Sequence, residues 1–423
     1  MNEKDLGKNY LDGWSLLFYL ILVAMGWLSI FSASHGGETL SLDLSTNYGK
    51  QVLWIIVSMV FGAAIFLIDA RFFDVFGYWF YGLTLALLVL VLVFGTEVNG
   101  ARAWFQIGGF RLQPAEFAKF GTALALSKYL GDIDTNVKRI KQQIIAFGII
   151  AVPAALIVIQ GDAGSALVYG ALLLMLYREG MSGAILLIGV AFITIFVFTL
   201  AFGSVAVIIG SVLVGAVVLA FTYTVPRFKW YILGVVVAIT LISFGVQFAF
   251  DTVLQEHQQT RLEVMLGLKQ DPQGVGYNVT QSKIAIGSGG FWGKGFLNGT
   301  QTKGDFVPEQ HTDFIFSTVG EEMGWVGAFV VIVTFCMFFL RLTFLAERQR
   351  SKFNRVYAYS VICMMLFHFA INIGMTINIA PVIGIPLPFF SYGGSSLISF
   401  TMLVFLLLRL DANRYNELDS ANY

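Results

Sequence analysis

The sequence predicts an all-α fold, a polytopic membrane bundle of about twelve transmembrane helices, and three observations carry that reading. Hydrophobic residues make up 57% of the 423-residue chain and charged residues only 12%, where soluble domains carry about a quarter charged residues. Apolar runs of about twenty residues, the length that crosses a bilayer, recur between short polar connectors. One polar stretch is long: residues 251–312 separate two apolar runs, and their last residue leads directly into the second.

Taken in order, the start is polar, but residues 14–34 form an apolar run too long for a signal peptide's core and are expected to be a retained first span. Further runs at 52–68, 75–95, 113–130, 143–160, 163–178 and 182–203 follow. After them come 204–224, 229–250, 313–341, 356–380 and 388–409. Two of these touch at Gly203-Ser204, where only a tight turn separates them. Pro381, Pro386 and Pro388 interrupt the backbone before the last helix, and Ser391-Tyr392-Gly393-Gly394 reads as a turn or re-entrant segment. Irregular backbone at that depth is tolerated where it is buried in protein or lines a cavity.

Charge sets the expected orientation. With the N-terminus inside, the inner connectors and tails hold Lys4, Lys8, Arg71, Lys128, Lys138, Arg139, Lys141, Arg178, Arg227, Lys229, Arg341, Arg348, Arg350, Lys352, Arg355, Arg409 and Arg414. The short outer connectors hold only Lys50, Arg102 and Arg111. The bias predicts both termini in the cytoplasm and residues 251–312 outside. A connection of that length is functional or disordered, and its aromatic and glycine content argues against disorder. The net charge of zero identifies no partner. Cys336 and Cys363 both lie in apolar runs, so neither a disulfide framework nor a zinc signature is present.

Four separated motifs carry a resemblance. They are NGARAWFQIGGFRLQPAEFAKF from Asn99, QGDAGSA from Gln160, GTQTKGDFVPEQHTDFIFSTVGEEMGWVG from Gly299, and PVIGIPLPFFSYGGSS from Pro381. Together, in this order, they resemble the SEDS family (RodA and FtsW), and the Gly299-Thr300-Gln301 ahead of the Pro308–Asp313 run is most like its RodA-type members. Three departures are visible. The family usually has about ten spans, whereas 182–250 is long enough here for three helices. Gly161 stands where the family has proline, and Asn378 where it prefers Gly or Thr. The resemblance implies a single integral membrane domain over 1–423, with 251–312 as its large extracytoplasmic loop. The resemblance also implies a location in the bacterial inner membrane.

The resemblance further implies a peptidoglycan glycosyltransferase of cell elongation and cell shape. Such an enzyme polymerises lipid II by transferring the growing glycan from undecaprenyl pyrophosphate to an incoming sugar hydroxyl, with inversion. A neutral hydroxyl needs a general base, and the family assigns that role to the aspartate matching Asp313, beside His311 and Thr312. The competing reading of Asp313 or Thr312 is a helix N-cap.

Glu116 and Lys119, three residues apart on one helix face, can pair. Charges within the membrane normally face a cavity or each other, so the pair is either a structural lock or part of the substrate cavity. Asp162 is a candidate third partner for Lys119. Arg102, Arg111, Arg261, Lys283 and Lys294 are the outer cations available to a pyrophosphate, each alternatively a headgroup contact or a solvated residue. Pro381, Pro386, Ser391, Gly393 and Gly394 are expected to shape the cavity.

No residues spell a dedicated metal cage. A divalent cation (Mg or Mn) bridging pyrophosphate and carboxylate is nevertheless natural chemistry, and the resemblance implies it. The glycines at 287, 289, 290, 293 and 295 do not fit a nucleotide loop, because Ser288 and Gly295 occupy the wrong positions. His368, alone in an apolar run, reads as a satisfied interior histidine. With no Ser-x-x-Lys nucleophile to cross-link peptides, the resemblance implies a class B penicillin-binding protein (PBP2-like transpeptidase) as partner. Small residues permit close helix approach, so its membrane helix is expected beside Gly374, Ser391 and Gly393–Ser396. Two other functions stay open: a lipid II flippase or transporter, and an FtsW-like division polymerase.

Overall fold

The computed structural model describes residues 11–35, 43–98, 100–132, 135, 137–222, 226–252, 254, 256–269, 271, 274–304 and 306–414. Lys4, Lys8 and Asn99, used above, lie outside the described residues, as do a few positions within 251–312. Each of the twelve expected spans falls on helix. The first six elements of the bundle are α1 (Gly13–Ser34), α2 (Asn47–Leu67), the short α3 (Ala70–Val75), α4 (Gly77–Phe94), α5 (Pro114–Gly131) and α6 (Ile140–Ile159). Next come α7 (Ala163–Leu167) and α8 (Leu172–Arg178), joined by a 3₁₀ turn, and the long α9 (Gly183–Phe202), α10 (Ser204–Thr222) and α11 (Pro226–Thr252). The expected outer segment folds into α12 (Glu256–Met265), α13 (Val275–Gly289) and α14 (Thr300–Lys303). The chain closes with α15 (Ile315–Glu347), α16 (Lys352–Thr376) and α17 (Gly394–Ala412).

Ten of these helices are long and apolar enough to cross a membrane. The two expected spans outside that set are α5, diluted by Glu116, Lys119 and Lys128, and the broken α7–α8. Within α7, Gly164 packs so closely that a β-carbon there would stand 2.1 Å from the Ile383 carbonyl oxygen. The turn expected at Gly203-Ser204 is present, with Gly203 at φ +83° between α9 and α10. Only glycine adopts that conformation freely.

The helical bundle carries one small sheet in addition. Between α4 and α5 the chain forms a three-stranded antiparallel meander, β1 (Thr96–Val98), β2 (Ala101–Ile107) and β3 (Phe110–Leu112). Val98 pairs with Ala101 and Ile107 with Phe110. The second connection is therefore a two-residue turn, Gly108-Gly109, a sequence preference of tight hairpins.

The chain divides into two compact units. One comprises Ser182–Tyr277 with Ile379–Val382, and so holds α9–α12, Arg261 and Pro381. Within it α9 and α10 are nearly all lipid-facing, with only 6% of each span buried, and meet α11 through small residues. Thr199 donates to Ser243 at 3.2 Å, and a β-carbon at Gly215 would meet Val236 at 2.9 Å. The other unit holds α1–α8, most of α13, and α14–α17. Its centre is α17, 83% buried, with α16 at 67%.

At the end of this unit that carries the expected inner connectors, cations meet acids, three of them with side chains almost wholly buried (Asp12, Glu179 and Asp411) and Glu347 exposed. Arg348 and Arg414 bind Asp411, Arg341 binds Asp12, Arg355 binds Glu179, and Arg178 binds Glu347. The interior position of α17 also corrects the expected docking face. Gly394 lies against the Trp54 ring, and Ser395 bonds the Gln113 amide and the Arg111 carbonyl. Gly374 and Ser391 are buried. Gly374, Ser391, Ser395 and Ser396 serve close packing inside the chain, and Gly393 and Gly394 are half-buried.

Candidate active site

Asp313 lies in a turn immediately before α15, half-buried. The turn is built on Glu309 in the left-handed region, φ +57°, whose carbonyl accepts from the amides of Thr312 and Phe314. The N-cap of α15 is Phe314, with no side-chain capping bond. Asp313 and Thr312 thus stand one and two residues ahead of the N-cap position. Thr312 instead donates to the Glu309 carboxylate at 2.8 Å.

The irregular segment before α17 holds this turn from the other side. Tyr392 N–H donates to the His311 carbonyl at 2.9 Å, and Ser391 Oγ donates to the Thr312 carbonyl at 2.7 Å. Ser391 Oγ in turn accepts from Leu387 N–H at 2.8 Å. Asn372, fully buried on α16, spends both amide hydrogens here: one on the Asp313 carbonyl at 2.9 Å and one on the Ile385 carbonyl at 2.8 Å. Exposed Gly384, φ +70°, faces the Asp313 carboxylate. The backbone at this depth thus obeys the rule that irregular segments need internal partners. Gly393 N–H accepts none of this load and instead donates to Gln51 at 3.3 Å.

Beneath the turn runs a buried polar chain. Lys119 Nζ donates to Glu116 Oε2 at 2.8 Å, with both residues 1% exposed. It also contacts His368 Nε2 at 3.0 Å and lies 4.5 Å from the centre of the Phe400 ring. His368 Nδ1 reaches the Pro386 carbonyl at 3.0 Å. His368 is thus a direct contact of Lys119, while Asp162, the expected third partner, acts on it electrostatically. Asp162 caps α7 through Ser165 N–H at 3.0 Å and accepts from Gln113 at 2.7 Å. Gly161 beside it has φ +86°, which a proline, fixed near −65°, cannot take.

The outer cations divide. Arg102 and Arg111 are exposed on the meander, opposite Glu97 and Gln106 in strand register. Arg111 also interacts electrostatically with Tyr392, whose ring packs 5.8 Å from that of His311. Lys283 is exposed on α13. Lys294, by contrast, is taken up inside the fold, 2.7 Å from Glu321. That fully buried carboxylate also accepts the amides of Thr300, Gln301 and Thr302 at 2.8 to 2.9 Å. Arg261 and Pro381 belong to the other compact unit.

The glycine cluster has a structural use. Helix α15 kinks at Gly324 (φ 63°, ψ −158°), and the segment 290–295 docks on the backbone that the kink opens. Lys294 and Gly295 N–H donate to the carbonyls of Glu321 and Glu322, while Trp325 N–H donates to that of Gly290. A β-carbon at Gly293 would stand 2.1 Å from the Glu322 oxygen.

His368 is the satisfied interior histidine the sequence suggested, while Asn372, Gly384 and Glu321 are residues that sequence reasoning missed. A signal existed for Asn372, which stands four residues from His368 on one face of α16. Among the described residues no three His, Cys, Asp or Glu side chains converge as a metal cluster.

The arrangement has relatives. A family model described as cell cycle protein (FtsW, RodA, SpoVE) matches residues 14–209 and 204–416. The chain is 31% identical over 392 residues to the Escherichia coli K12 peptidoglycan glycosyltransferase MrdB, covering 92% of this chain and 90% of that protein. It is 32% identical over 444 residues to the Treponema pallidum peptidoglycan glycosyltransferase RodA, covering 96% and 99%. Among solved structures, a chain of a peptidoglycan synthase complex coordinating polymerization and crosslinking is similar, with TM-score 0.69, 25% identity and coverage of 96% and 98%. The Thermus thermophilus rod shape determining protein RodA shares the fold, with TM-score 0.61, 24% identity and the same coverage.

Proposed function

The chain belongs to the FtsW/RodA/SpoVE family of cell cycle proteins and is a multi-pass membrane peptidoglycan glycosyltransferase, and on that premise we propose that it polymerises lipid II for cell elongation with Asp313 as general base. The growing glycan transfers from its undecaprenyl pyrophosphate to the 4-hydroxyl of the incoming sugar. The hydroxyl oxygen forms the new bond to the anomeric carbon from the face opposite the leaving pyrophosphate, which inverts that centre. Asp313 accepts the hydroxyl proton as the bond forms.

One observation supports this role above the others: three consecutive backbone carbonyls of the Asp313 turn are held by two elements, the segment before α17 and α16, with the carboxylate beside exposed Gly384. A base must be positioned, and rigid supports do that. Arg111 with Tyr392 flanks the same turn, while Arg102 and Lys283 are the further exposed cations suited to the pyrophosphate. A divalent cation would draw its ligands from Asp313, the pyrophosphate and water, since Mg²⁺ is commonly held by one or two carboxylates plus substrate phosphates. Bound there, it would neutralise charge on the leaving group.

The site faces the outside of the cytoplasmic membrane, with both termini in the cytoplasm. The partner is a cross-linking penicillin-binding protein, a reading supported by the synthase complex to which this fold is similar.

The test is polymerisation of labelled lipid II by the purified chain and by Asp313→Asn. Loss of polymer from a variant that melts with the wild type supports the assignment. Undiminished polymer defeats it, and lipid II transport without polymer would identify a flippase instead.

A further inference from the structure

His368 sits between two groups whose hydrogen-bonding roles are fixed. A lysine ammonium only donates, and a proline carbonyl only accepts. The contact with Lys119 at 3.0 Å therefore makes Nε2 the acceptor, and the contact with Pro386 at 3.0 Å makes Nδ1 the donor. The ring is a neutral imidazole in its Nδ1–H tautomer. Its orientation is further fixed by the edge of the Phe400 ring, 5.0 Å away at 86°.

One helical turn further along α16, Asn372 holds the next carbonyl back, that of Ile385, together with the carbonyl of Asp313. Two side chains on one helix face thus grip consecutive carbonyls of the strap 384–386, whose Gly384 borders the Asp313 carboxylate. Glu116 fixes the other end of the chain by neutralising Lys119, and its own carbonyl accepts from Ser399 at 2.6 Å. Helices α5, α16 and α17 are thereby tied to one strap.

We propose that His368 is a positioning residue for the transfer reaction: the Glu116–Lys119 pair sets its tautomer, and its Nδ1–H holds the strap that places Asp313. The inference rests on the reading of Asp313 as base. It assigns the intramembrane ion pair a purpose distinct from substrate contact, because both of its charges are buried and the chain leads from them to the catalytic turn.

Two substitutions separate the bonds. Asparagine at 368 can keep a donor at the Nδ1 position for the Pro386 carbonyl but loses the acceptor facing Lys119. Glutamine reaches Lys119 with an acceptor but has no donor at the Nδ1 position. Full-length His368→Asn, His368→Gln and Asp313→Asn are compared with the wild type for lipid II polymerisation, with KM, kcat and melting temperature measured for each.

His368→Gln is expected to lower kcat about ten- to a hundredfold with KM unchanged, since misplacing a catalytic group by an ångström costs that order. His368→Asn should recover most of that loss. Equal loss in both variants with parallel falls in melting temperature would make His368 a packing residue and overturn the proposal. So would wild-type kcat in His368→Gln, or a larger loss in Asn than in Gln. If Asp313→Asn is inactive while His368→Gln is unaffected, the positioning role fails alone. If Asp313→Asn polymerises normally, the base assignment fails and this inference falls with it.

Discussion

Gly384 faces Asp313 so closely that a β-carbon on the glycine would stand 3.4 Å from the carboxylate oxygen Oδ2. The same residue has φ +70°, a conformation that costs an L-amino acid roughly 1–2 kcal/mol. Gly384→Ala should therefore lose both stability and polymerisation. Gly384→Asn separates the two effects, because asparagine tolerates the left-handed region but still places a side chain against the carboxylate. The expected result is near-normal melting with a clear fall in kcat. An Asn variant with full activity would show that the space beside Asp313 is not needed for the reaction.

The Glu116–Lys119 pair is buried and asymmetric. Removing one partner of a buried pair costs about 3–5 kcal/mol, so Glu116→Gln and Lys119→Met are each expected to lower the melting temperature sharply. Exchanging the charges should not restore it. The lysine position is shaped for a cation, with the acceptor Nε2 of His368 at 3.0 Å and the Phe400 ring at 4.5 Å, and a carboxylate there would meet two electron-rich groups. A double exchange as stable as the wild type in a double-mutant cycle would show that the pair acts alone.

These residues also show what one sequence conceals. Helical spacing placed Glu116 and Lys119 together, and hydropathy found every span because each signal is local. His368 lies 249 residues from Lys119, and nothing in a single chain announces that contact. The meander was legible in Gly108-Gly109, but its strands are short and lie among apolar runs. Lys294 looked like the other outer cations, since only the fold reveals that buried Glu321 claims it. The small residues near α17 looked like a lipid-facing seam for the opposite reason: composition records size, and burial decides what small size is used for.

Glu321 gives a third prediction. Its carboxylate gathers three consecutive amides, Thr300 to Thr302, the Thr302 hydroxyl at 2.9 Å and Lys294. Glu321→Ala leaves those donors unsatisfied, each unmet buried group costing about 1–3 kcal/mol, and should release the segment 294–304. Lys294→Met removes one charged donor while the amides remain, so its effect should be smaller. Hydrogen exchange at residues 300–302 reads the difference directly. Similar exchange in both variants would make the lysine, not the amide cradle, the anchor of this segment.

The last prediction concerns pH at the opposite end of the bundle. Asp12 stands just ahead of α1, and burial by itself raises its pKa. The Arg341 guanidinium and the Ser15 amide and hydroxyl outweigh burial and hold the carboxyl down to about 2, from an ordinary 3.8. A depressed folded-state pKa means that the charged form stabilises the fold. That contribution is complete above the unfolded value of 3.8 and is lost as pH falls through about 2. Asp12→Asn should therefore melt below the wild type at neutral pH, where Arg341 loses its charged partner while asparagine keeps the cap of α1. The two melting temperatures should converge as the pH is lowered across that window. Equal melting temperatures at neutral pH would mean that the cap geometry, shared by asparagine and aspartate, rather than the ion pair with Arg341, ties α1 to α15.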